Sequence, residues 1–102
     1  MGAENILKQM VGINSVFPKE RNLAYFMVKH LKKLGFKTYL QEVDPGRYNV
    51  FAERGNKGKA ILFYGHLDTV PVYGAWKTNP FKLTKKGDKL YGLGAYDMKG
   101  GI

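Results

Sequence analysis

The segment Lys59-Ala60-Ile61-Leu62-Phe63-Tyr64 constrains the fold more than any other. It is apolar from its second residue to its last and runs directly into Gly65. A strand with one wet face alternates polar and apolar residues, whereas an unbroken apolar strand is covered on both faces, as in the middle of an α/β sheet. Residues 59–64 are therefore expected to form a buried strand with helices packed upon it.

The preceding residues supply those helices. Ile6, Leu7, Met10 and Val11 recur at helical spacing, which predicts a short amphipathic helix over 3–11. Asn14-Ser15-Val16-Phe17-Pro18 interrupts it, and a second helix is expected over 18–34, with Pro18 in its first turn and Gly35 as its stop. Leu23, Phe26, Met27, His30, Leu31 and Leu34 form the stripe that would face a sheet, with His30 read as a packing or surface residue. Strands are expected over 37–43 and 47–53, separated by Asp44-Pro45-Gly46, and a hairpin around Lys85-Lys86-Gly87-Asp88. The pattern predicts an α/β fold: two helices, then a mixed β-sheet, in a single domain without internal repeats.

Composition narrows the chemistry. With 102 residues and 44% hydrophobic content the chain suits one globular domain. It contains no cysteine, so a bound metal must be held by nitrogen and oxygen, and a cytoplasmic location is expected. No apolar run approaches the roughly 18 residues of a membrane span, and Met1-Gly2-Ala3-Glu4-Asn5-Ile6-Leu7 has no basic lead and apolar block, so neither a membrane nor a signal peptide is expected. The formal charge of +9 comes from lysines scattered from Lys8 to Lys99. They are read as solvated, so nucleic acid is not an expected partner.

Two glycine-rich stretches carry the candidate chemistry: Gly65-His66-Leu67-Asp68-Thr69-Val70-Pro71 and Gly92-Leu93-Gly94-Ala95-Tyr96-Asp97-Met98-Lys99-Gly100-Gly101. His66 follows the expected buried strand, at the strand end where α/β sheets gather ligands. Asp68, two residues on, could accept the free imidazole N–H and fix its tautomer. The alternative is a loop histidine with a capping aspartate. Asp97 could bridge two cations at the roughly 3.5–4 Å of a two-metal site, or could cap a helix starting near Met98. The Gly-x-Gly lacks the third glycine of a dinucleotide loop, because Asp97 occupies that place.

Tyr64 to Pro71, then Trp76, Pro80-Phe81 and Lys89 to Gly101, resemble the acetylornithine deacetylase, succinyl-diaminopimelate desuccinylase and glutamate carboxypeptidase family of dizinc hydrolases. The paired N-terminal helices and Tyr48-Asn49-Val50 also follow family order, so the resemblance covers nearly the whole chain. It implies that residues 1–102 are the N-terminal part of a zinc-exopeptidase-like catalytic domain, the rest of which, with a dimerisation domain, lies outside them. It further implies that His66 ligates one zinc, Asp97 bridges both, and Asp68 acts in catalysis by orienting His66. A cis peptide after the bridging aspartate is also implied. Zinc is the implied metal, with cobalt and manganese as alternatives. The implied substrate is an N-acyl amino acid or short peptide, its amide attacked by water that a glutamate outside these residues activates. The paired glutamates, another carboxylate ligand and a final histidine have no counterpart here, so the 102 residues alone are expected to be inactive. The alternative is a non-catalytic fragment that folds or associates only with a partner chain. Leu93 stands where many members have arginine and Tyr96 where small residues are common. By resemblance Trp76 would line the approach to the site, with a buried packing role as the alternative.

Overall fold

The computed structural model describes residues 2–102. Helix α1 (Ala3–Val11) has the expected bounds, with Glu4 in its first turn and Lys8 in its last, each matching the adjacent end of the helix dipole. Met10 and Val11 turn inward and are buried.

Helix α2 (Arg21–Lys33) begins three residues later than the sequence predicts. The reason lies upstream, where residues 15–17 have another partner. The Thr69 N–H donates to the Ser15 carbonyl at 2.9 Å and the Phe17 N–H donates to the Thr69 carbonyl at 3.1 Å, a parallel bridge between Val16 and Thr69. Pro18 consequently lies in a turn closed by the Lys19 N–H on the Val16 carbonyl, outside the helix. The other end is as expected. Gly35 adopts φ +91°, the left-handed conformation that a residue with a Cβ resists. Its N–H reaches the Lys32 carbonyl and that of Phe36 reaches Leu31, which satisfies carbonyls the helix leaves open.

Strands β1 (Lys37–Asp44) and β2 (Arg47–Glu53) form an antiparallel hairpin, paired from Lys37↔Glu53 to Glu42↔Tyr48, and turn at Gly46. α2 packs across both strands. The Arg47 guanidinium pairs with the Glu20 carboxylate and lies 4.4 Å over the Phe17 ring, fastening the hairpin to the start of α2. The core is Met10, Leu23 and Met27, with Ile6, Leu7, Phe26, Val50 and Leu67 among the residues packed around it. His30 is half-buried and stacks on Phe26 at 5.9 Å, a packing residue as expected. Leu34, expected on the packed stripe, is half exposed instead.

The largest departure is at residues 59–64, which form no strand. Ile61, Leu62, Phe63 and Tyr64 are 83, 84, 87 and 90% exposed. Unbroken apolarity specifies a strand covered on both sides; among the described residues no strand pairs with this one and none of its large side chains is covered. The strands present lie in two antiparallel hairpins, the second being β3 (Thr84–Lys86) and β4 (Lys89–Tyr91), which turns at Gly87 where a hairpin was expected. The α/β class holds, but in place of the expected mixed sheet the described residues form two separate antiparallel pairs, with parallel pairing among them limited to the Val16–Thr69 bridge.

Candidate metal centre

The first motif is fixed from below. The buried Ser15 hydroxyl donates to the Leu67 carbonyl at 2.8 Å, and the Val16–Thr69 bridge holds the next residues. Leu67 reaches the core cluster, so its neighbours His66 and Asp68 are left facing outward. The second motif folds back at Gly94, whose φ is +78°, and closes where the Lys99 N–H donates to the Gly94 carbonyl at 2.8 Å. The two motifs meet there: a Cβ on Gly94 would stand 2.5 Å from the Thr69 Cγ2. They meet again at Gly65, where a Cβ would stand 2.6 Å from the Met98 Cε. The His66 N–H lies 3.2 Å from the Met98 Sδ.

These contacts bring together residues 31 positions apart: His66 Nε2 lies 2.9 Å from Asp97 Oδ1. The other ring nitrogen, Nδ1, lies 3.0 Å from the Asp68 main-chain carbonyl and 3.3 Å from its carboxylate. Asp68 thus stands beside the imidazole as expected, but its backbone oxygen is the nearer acceptor. With an acceptor at each nitrogen, the doubly protonated ring is favoured. The Asp97 carboxylate, then the Asp68 carbonyl, hold the His66 pKa above its ordinary value. The side chains of His66 and Asp68 are half exposed, and Asp97 is 74% exposed.

Asp97 does not cap a helix. The following 3₁₀ turn (Lys99–Gly101) has no side-chain cap, and the Asp97 carboxylate points to His66. The Asp97–Met98 peptide is cis, as the resemblance implies. The donor chemistry fits a metal held by nitrogen and oxygen: an Nδ1–H on the Asp68 carbonyl leaves Nε2 free as a ligand, with a carboxylate oxygen beside it. Among the described residues no group of three histidine or acidic side chains is arranged to hold an ion.

Trp76 is 37% exposed, outside the core. Leu93 is buried, whereas Tyr96 is 98% exposed. Lys99 corrects the reading of all lysines as solvated. It is 2% exposed, and its ammonium donates to the main-chain carbonyls of Met10 at 2.8 Å and Ile13 at 2.9 Å. Burial lowers its pKa from 10.5 to about 8. Its place among the glycines of the second motif was the available signal. Ser15 and Met98 carried no signal in the sequence, because their roles arise only when distant segments meet.

Residues 62–102 match the model of peptidase family M20/M25/M40. Over 101 residues the chain is 39% identical to the succinyl-diaminopimelate desuccinylase of Buchnera aphidicola subsp. Cinara cedri, covering 96% of this chain and 26% of that protein. It is 48% identical over 68 residues to the acetylornithine deacetylase of Vibrio vulnificus, covering 66% and 18%. In structure it is similar to human carnosine dipeptidase 1, with a TM-score of 0.83 and 31% identity over 96% of this chain and 25% of that one. Residues 62–102 thus carry the sequence pattern of this peptidase family, and the chain spans about a quarter of the length of the curated relatives that it matches over nearly all its residues.

Proposed function

We propose that these residues contribute the first two metal ligands, His66 and Asp97, to a metal-dependent hydrolase that cleaves the amide of an N-acyl amino acid or short peptide. The observation that carries this reading is the approach of His66 Nε2 to Asp97 Oδ1 at 2.9 Å while Asp68 holds the opposite ring nitrogen. The names of the relatives point to acetylated or succinylated amino acids and to dipeptides as substrate classes. Zinc suits the nitrogen and oxygen donors, with cobalt and manganese as substitutes. A bound metal supplies Lewis-acid polarisation of the amide carbonyl and lowers the pKa of water. The protein's own part is orientation. Asp68 holds Nδ1–H so that Nε2 is the donor nitrogen, and Asp97 adds negative charge beside it. The reading places the activity in the cytoplasm and gives the intact protein a homodimeric form through residues outside these 102.

A catalytic zinc normally takes three protein ligands and water, so two ligands predict no hydrolysis of N-acetyl or N-succinyl amino acids by the 102-residue chain. Metal uptake is the direct test. Cobalt(II) added to the chain should perturb the His66 ring resonances first, and His66→Ala or Asp97→Ala should abolish tight uptake. Cobalt binding unchanged in both variants would overturn the ligand assignment. Hydrolysis that is lost in His66→Ala would overturn the expected inactivity.

A further inference from the structure

We infer that Lys99 is a positioning residue for Asp97: its buried ammonium locks the second motif to the end of α1 and so sets the distance between Asp97 and His66. The inference rests on the metal-site reading above and adds a residue outside the ligand set.

Asp97 has little to hold it. Its side chain is 74% exposed, and its carboxylate contacts His66, which is itself half exposed. Its place must come from the backbone that carries it. That backbone is a loop whose two ends, Gly94 and Lys99, are joined by the Lys99 N–H on the Gly94 carbonyl at 2.8 Å. Asp97 lies between those ends.

The Lys99 side chain then fixes the closed loop to the rest of the molecule. It is nearly inaccessible and donates to the carbonyls of Met10 and Ile13, at and just beyond the C-terminal end of α1. Helix ends leave carbonyl groups open and carry partial negative charge, so an ammonium there makes charge-assisted bonds. Other contacts of the same loop are to flexible or apolar groups, such as the Met98 thioether beside Gly65 and the Thr69 methyl beside Gly94. The loop's other directional contacts outside itself are the His66 N–H on the Met98 thioether, a weak acceptor on a flexible side chain, and, just before Gly94, the Leu93 N–H on the Pro80 carbonyl at 2.7 Å, which leaves the Asp97 end of the loop to be held elsewhere. The Lys99 cation, bonded to two fixed carbonyls, holds that end.

The lysine also links the motifs through one body. Ile13 and Leu67 both pack against the core cluster, and Ser15, two residues beyond Ile13, bonds the Leu67 carbonyl next to His66. Lys99 therefore anchors Asp97 to the segment from which His66 is itself held.

The test compares wild type, Lys99→Arg, Lys99→Gln and Lys99→Met, each verified as folded by circular dichroism. The metal-free readout is the low-field Nε2–H resonance of His66 in mildly acidic buffer, where the hydrogen bond to Asp97 makes it visible. The second readout is cobalt(II) affinity. Lys99→Met should lose the resonance and bind cobalt about 10–100-fold more weakly, as for other residues that orient a ligand. Lys99→Arg, which retains charge and donors, should restore most of both. If Lys99→Met does not fold, the graded difference between the Arg and Gln variants decides. A folded Lys99→Met or Lys99→Gln chain with an unchanged resonance and unchanged cobalt affinity would overturn the inference. If wild type takes up no cobalt yet the resonance follows the Lys99 series, the metal reading fails and the positioning role stands.

Discussion

His66 is held between two acceptors, and that arrangement sets opposite demands in the metal-free and metal-bound forms. Without metal, Asp97 and the Asp68 carbonyl favour the imidazolium and raise the pKa above its ordinary 6.5. The linked stability is fully present below 6.5 and is lost as pH rises through the higher folded value. The ring's exposure keeps that contribution small. Metal uptake removes the Nε2 proton, so affinity should increase with pH through the same window. An NMR titration should find the His66 midpoint above 6.5 in the metal-free chain and nearer to it in Asp97→Asn. An unchanged midpoint in that variant would mean that the Asp97 contact does not form in solution. The pairing of His66 with Asp97 was legible because each lies in a long motif of recognisable spacing. The nearer acceptor on Nδ1 was not. Same-side placement of residues i and i+2 holds for side chains on extended backbone, whereas here the main-chain oxygen of Asp68 turns toward the ring.

Local signals located the elements well where the partner of each element lies close in sequence. The α1 bounds, the Gly35 stop and the β1–β2 hairpin follow from apolar spacing and turn residues. The start of α2 did not, because residues 15–17 pair with Thr69, far along the chain, and no local preference encodes that bond. The same long-range contact makes Gly94 demanding. Its φ is +78°, and an added Cβ would be 2.5 Å from the Thr69 methyl. Gly94→Ala combines a left-handed alanine, costing about 1–2 kcal/mol, with overpacking of about 1–3 kcal/mol. A loss of roughly 2–5 kcal/mol is expected from urea unfolding. Gly74→Ala is the comparison, since Gly74 has φ +71° but nothing within 4 Å of the added Cβ. It should show the conformational cost alone. Equal losses in the two variants would show that the motifs do not meet at Gly94.

Across the whole molecule, a small buried core of Met10, Leu23 and Met27 serves an extended body. The radius of gyration is 14.7 Å and the extents are 48 × 34 × 20 Å, whereas a compact chain of this length has a radius of about 13 Å. The apolar segment at 61–64 contributes to that openness, with four large side chains exposed and no strand pairing. The sequence specifies a covered strand, but cover depends on other segments, and none of the described residues supplies it. Contiguous apolar side chains beside unpaired backbone favour association with another copy. The chain should therefore show a mass above monomer in light scattering, increasing with concentration. The formal charge of +9 opposes that association, so added salt should strengthen it by screening repulsion. Leu62→Lys combined with Phe63→Lys places charge in the segment without touching the core and should return the chain to monomer with its circular dichroism unchanged. A wild-type monomer at all concentrations would show that the segment finds cover within its own chain. Association that persists in the double variant would assign the contact to another surface, of which the exposed Tyr39–Phe51 stack on the hairpin is the next candidate.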